Sequence, residues 1–220
     1  MAAGFRNGQR LGLAAEFAAL YVAAPLVMAV AFPASLLFPA LFAVTVAGLV
    51  LLHRTPGFDW SDLTAGIGRI GWGRVGLVAL ATAAVAFGAV LLVSPGSLFG
   101  LVRASPSLML AIAVLYPFLS ALPQEIVFRP LFFRRYGALL PPRAETQVVL
   151  NAVVFAYAHL LYWSWLVTLM TFAGGLVFAW SYRVRRNFPE AVLLHSVAGI
   201  IVFVAGLGVF FYSGNITRPF

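Results

Sequence analysis

SLMLAIAVLYPFLSALPQEIVFR, residues 107–129, decides how this chain is read. From Ser107 to Val127 it is a nearly unbroken apolar run. About 20 residues, rising about 1.5 Å each, cross a hydrocarbon core of about 30 Å. Near its end the run carries Glu125 and Arg129, four positions apart. An ionisable group in hydrocarbon costs roughly 2.5–3.5 kcal/mol on insertion scales, so its presence there marks function by default. On a helix the i, i+4 spacing puts both side chains on one face, where pairing lowers the cost of burying each. Pro130 follows Arg129 directly and disfavours an unperturbed continuation of the helix.

The rest of the chain has the same character. Hydrophobic residues make up 63% and charged residues 9% of 220, against about half and a quarter in a soluble domain. The composition predicts an all-α integral membrane bundle forming one domain, 1–220. Six further stretches are long or apolar enough to span, at 11–31, 33–52, 75–94, 146–163, 164–183 and 189–212, which with 107–127 makes seven. Pro33, Pro56-Gly57, Pro95-Gly96, Pro141-Pro142 and Pro189 punctuate them.

The net charge of +8 comes from 14 arginines and no lysine. They are scattered through the connecting segments instead of lining one face, which speaks for topology and against nucleic acid. With the N-terminus in the cytoplasm, eleven fall inside (Arg6, Arg10, Arg54, Arg69, Arg74, Arg134, Arg135, Arg143, Arg183, Arg185, Arg186) and two outside (Arg103, Arg218). That asymmetry obeys the positive-inside rule. Trp163 and Trp165 then lie at the outer interface and Trp180 near the inner one. Arginine without lysine points to a prokaryotic source and hence to its plasma membrane. The absence of cysteine excludes disulfides, thiolate metal ligands and a cysteine nucleophile.

Two segments need separate readings. Arg6, Arg10 and the apolar run ending at Ala29-Val30-Ala31 have the outline of a signal peptide. The run is long, carries Glu16 and passes almost directly into a second span, so it is expected to be retained. Residues 58–74 interleave Phe58, Trp60, Leu63, Ile67 and Trp72 with charges and glycines. They are expected to lie on the cytoplasmic interface as an amphipathic segment.

Two of the chain's three histidines sit in apolar runs. His159 has Phe155 one turn before it, and His195 has Gly199 one turn after it, where another backbone is expected to approach closely. Imidazole can bind a metal, take a proton or, protonated, stabilise an oxyanion. Glu125, Arg129, His159 and His195 are the candidate catalytic residues, with Gln124, Phe155 and Gly199 in support.

Three ordered blocks, QEIVFR (124–129), FAYAH (155–159) and HSVAG (195–199), resemble the motifs of the type II CAAX prenyl proteases and bacteriocin-processing enzymes, the CPBP or Abi family. That pattern is two glutamates, three variable residues and arginine; then phenylalanine, three residues and histidine; then histidine, three residues and asparagine or a small residue. The likeness covers about 105–212. It implies an intramembrane endopeptidase whose site opens toward the cytoplasm. Glu125 matches the second motif glutamate, Arg129 the arginine, and His159 and His195 the two histidines. Gln124 stands where the family has its first glutamate, the water-activating residue, and glutamine cannot take a proton at neutral pH. Gly199 stands where asparagine is common.

The expected mechanism gives Glu125 the task of activating water. His159 and His195 position that water and hold the tetrahedral intermediate, and Arg129 orients Glu125. Glu125, His159 and His195 are also a three-ligand catalytic zinc set. The lack of an HExxH run favours a metal-free version. The expected partners are a peptide or protein substrate, prenylated or otherwise membrane-associated, and the bilayer. Two rivals remain: a non-catalytic scaffold or bacteriocin self-immunity protein, favoured by Gln124, and a small proton-coupled transporter using a Glu-Arg-His relay.

Overall fold

The computed structural model describes residues 7–212 together with 214 and 218; Arg6 lies outside that set. Seven helices among the described residues are long and apolar enough to cross a membrane. They are α1 (Gly8–Ala31), α2 (Ala34–His53), α3 (Trp72–Val93), α4 (Pro106–Arg135), α5 (Ala144–Tyr162), α6 (Trp165–Arg183) and α7 (Phe188–Ala205). The described residues contain no strand. The outward face of α3 leaves Leu77, Leu80 and Leu92 exposed, a surface suited to lipid. The chain is a multi-pass, all-α integral membrane protein.

One boundary departs from expectation. The last span stops at Ala205 instead of running to 212, and a separate short helix, Gly208–Phe211, follows. The reason is Gly206, whose φ of 108° is left-handed and whose missing Cβ would lie 2.0 Å from the Ser97 carbonyl oxygen. Only glycine satisfies both conditions.

α4 is the spine of the molecule. It runs through Pro117, Pro123 and Pro130 by widening into π-helix at Pro117–Ala121 and Val127–Arg135. Proline lacks an N–H and clashes with the carbonyl four residues back; the i→i+5 pairing of a π-turn shifts that register and lets the helix continue. Carbonyls along the widened stretch take side-chain donors. The Tyr21 hydroxyl donates to Val127 O at 2.6 Å, and Asn151 Nδ2 to Phe128 O at 2.7 Å. Around it lies the core, where Tyr21, Leu52, Leu131, Phe132 and Tyr136 are buried. α5 and α6 form a hairpin so close that a Cβ on Gly175 would sit 3.1 Å from Ala152 Cα. That glycine packs helices within the chain.

Ion pairs tie together the ends that carry most of the arginines. Arg135, at the end of α4, clamps Glu16 of α1 through two nitrogens, and the Tyr136 hydroxyl donates to the same carboxylate. Burial, reinforced by that hydrogen bond, pushes the Tyr136 phenol well above its ordinary range, so it remains a neutral donor. Arg134 meets Asp62 at 2.8 Å. Glu190, fully buried in the first turn of α7, accepts from Gly71 N at 2.7 Å and Arg74 NH2 at 2.8 Å. The 58–74 segment leads into the first turn of α3. It is two 3-10 turns, Trp60–Leu63 and Ile67–Arg69, fastened to the bundle by Asp62 and by the contacts of Glu190 and Asn187.

Candidate active site

The second half of α4 presents Glu125 and Arg129 inward, both with no exposed surface. The i, i+4 spacing closes a two-point ion pair, with Arg129 Nε donating to Glu125 Oε2 at 2.8 Å and NH2 to Oε1 at 3.1 Å. A buried pair needs its remaining valences met as well. Arg129 NH1 goes to Asn151 Oδ1 of α5, and Asn151 in turn donates to Phe128 O. The face of the guanidinium rests on Phe155, 5.1 Å from the ring centroid, with Phe178 at 5.9 Å. Desolvation of the cation is thus offset on its edge by oxygen and on its face by aromatic rings.

His195 of α7 completes the group. Its Nδ1 lies 2.9 Å from Glu125 Oε1. A carboxylate oxygen accepts, so the imidazole Nδ1–H donates, which makes Nε2 the acceptor nitrogen of this tautomer. Phe178 stacks on His195 at 4.9 Å and 10°, while Phe155 and Tyr116 meet it edge-on at 5.6 and 6.0 Å. The ring is fixed in plane and in tautomer.

His159 is placed differently. It caps the helical part of α5, with Nδ1 held by the Phe155 carbonyl at 2.7 Å. A carbonyl cannot donate, so here too Nδ1 holds the proton and Nε2 is the acceptor. The ring packs on Phe155 at 4.5 Å, and Phe155 in turn packs on His195. His159 therefore joins the cluster across one aromatic ring and makes no direct bond to Glu125.

Glu125, Arg129 and His195 come together as one bonded unit, and Phe155 is the ring between the two imidazoles. Gln124 donates through Nε2 to Ser120 Oγ at 3.0 Å, and its Oε1 is buried without a partner. Gly199 does not admit a neighbouring backbone as expected. A Cβ there would fall 2.4 Å from atoms of the Tyr116 ring and its hydroxyl, so a phenol fills the space. Asn151, Phe178 and Tyr116 were not singled out in the sequence; a buried asparagine in an apolar span, one turn before Phe155, was the readable sign of the first.

A zinc ion does not fit the expected ligand set. Both Glu125 oxygens are occupied by N–H donors, a guanidinium lies against them, and His159 stands beyond the Phe155 ring. Among the described residues no group of three His, Cys, Asp or Glu side chains has the geometry to hold a metal.

Fold and cluster together define a polytopic membrane protein with a buried, hydrogen-bonded Glu-Arg-His centre. A family model described as "Type II CAAX prenyl endopeptidase Rce1-like" matches residues 104–201, a little under half of the chain and all three motifs. Over those residues the chain is similar to that family, which is consistent with a CPBP family protein. No curated protein and no solved structure matches it.

Proposed function

We propose that the chain is an intramembrane endopeptidase in which His195, oriented by Glu125, activates the attacking water. The observation that carries this reading is the 2.9 Å bond from His195 Nδ1 to a carboxylate already clamped by Arg129. Glu125 Oε1 accepts from both Arg129 and His195, and Oε2 accepts from Arg129, so the carboxylate is committed to holding these two partners, whereas His195 Nε2 has an open lone pair. The base role expected of Glu125 passes to the imidazole it holds, as in other carboxylate-histidine pairs. Water gives its proton to His195 Nε2 as its oxygen bonds to the peptide carbonyl carbon. The carbon–nitrogen bond then breaks, and the same proton goes to the leaving amine. His159 Nε2 accepts the water's second proton as a hydrogen bond and fixes its direction. The new imidazolium is stabilised by Glu125 and by the Phe178 face.

The family description favours a substrate bearing a prenyl group near its C-terminus, cut near the cytoplasmic face, with the arginine-rich ends inside. The test is a proteoliposome assay of prenylated and unmodified reporter peptides, with products read by mass spectrometry. The wild type cleaves the prenylated peptide, and His195→Ala loses at least about 100-fold, the usual scale of a general base. Undiminished turnover in His195→Ala would remove the imidazole from the base role. One observation favours a second reading: with Gln124 in place of a carboxylate, the chain could bind transmembrane peptides without cutting them. Saturable peptide binding with no new termini would establish that instead.

A further inference from the structure

We infer that Tyr116 supplies the hydrogen bond to the carbonyl oxygen under attack. This rests on the hydrolase reading above. Gly199 lies one turn after His195 on α7, and the side-chain volume it vacates is filled by Tyr116, whose hydroxyl oxygen would be 2.4 Å from a Cβ there. The ring sits edge-on to His195 at 6.0 Å and 74°, and to Phe203 at 6.0 Å and 64°. Helix α4 thus delivers a phenol hydroxyl to the turn of α7 that carries the base.

Hydrolysis needs a donor for the oxygen that becomes negative, and most of the centre's donors are spent. Arg129 gives its protons to Glu125, Asn151 and Phe128 O; Asn151 donates to Phe128 O; both histidine Nδ1 protons are engaged. Ser196 donates to Val192 O. Packing holds the Tyr116 ring against His195 and its hydroxyl, a donor, against Gly199.

Tyr116, Ser120 and Gln124 lie at i, i+4 and i+8 on α4, and Gln124 Nε2 donates to Ser120 Oγ at 3.0 Å. The buried, unpartnered Gln124 Oε1 is left to accept an N–H from the substrate backbone.

The experiment compares wild type and Tyr116→Phe in proteoliposomes, together with binding of a phosphonamidate peptide, which mimics the tetrahedral anion, and of its amide counterpart. Loss of one oxyanion donor costs about 100- to 1,000-fold in kcat. Tyr116→Phe should lose on that scale with KM within about twofold, and should lose the phosphonamidate preference while still binding the amide. Wild-type kcat in Tyr116→Phe overturns the donor role and leaves the hydrolase reading standing. Absence of turnover by the wild type overturns both.

Discussion

Removing Arg129 alone should damage this protein more than removing the whole ion pair. In Arg129→Met, Glu125 keeps only the His195 bond, in a position with no exposed surface. Breaking one side of a buried pair costs about 3–5 kcal/mol because a charge is left without compensation. In the double variant Arg129→Met/Glu125→Gln no buried charge remains, and apolar replacement of a buried pair is often near neutral. What is lost there is the hydrogen bonding to Asn151 and Phe128 O, about 1 kcal/mol each. The double variant should therefore be more stable than Arg129→Met by about 1–3 kcal/mol, roughly five- to 150-fold in the folding equilibrium, while both are inactive. Reversible unfolding by SDS in mixed micelles measures the difference. If the double variant is as unstable as the sum of the two single ones, Glu125 and Arg129 are not energetically paired and the description of the centre fails.

Other outcomes follow from the same geometry. Gly199→Ala places a Cβ on the Tyr116 ring and should cost about 1–3 kcal/mol in stability; adding Tyr116→Ala should recover most of it without recovering turnover. Tyr21→Phe leaves the Val127 carbonyl without its donor and should cost about 1–3 kcal/mol in the same unfolding assay. Glu190→Gln weakens the clasp on Gly71 and Arg74, so limited trypsin digestion of reconstituted protein should cut faster at Arg69 and Arg74; an unchanged rate would show that Glu190 does not hold the segment.

What the sequence made legible was whatever leaves a local trace. Seven apolar runs between prolines and glycines gave the spans, and Glu125, Arg129 and His195 could be picked out because charge and imidazole are rare in hydrocarbon. The widening of α4 was only half visible: Pro130 announces an irregularity, but whether a helix kinks or takes a π-turn depends on Tyr21 and Asn151, which arrive from other spans to satisfy its carbonyls. Glu190 was not singled out, since nothing local ties it to Gly71 and Arg74 more than a hundred residues earlier. Gly199 was noticed for the right reason, close approach, but a missing side chain does not say what fills the gap. The helical end of the last span was misjudged because Gly206 is decided by its contact with Ser97.

The most direct measurement is cleavage of a membrane-anchored peptide by the reconstituted chain in water enriched with oxygen-18. A single heavy oxygen should appear in the new carboxyl terminus with wild-type protein, and the product should vanish in His195→Ala while His53→Ala, far from the cluster, still forms it. A new terminus that His195→Ala makes equally well would contradict the account.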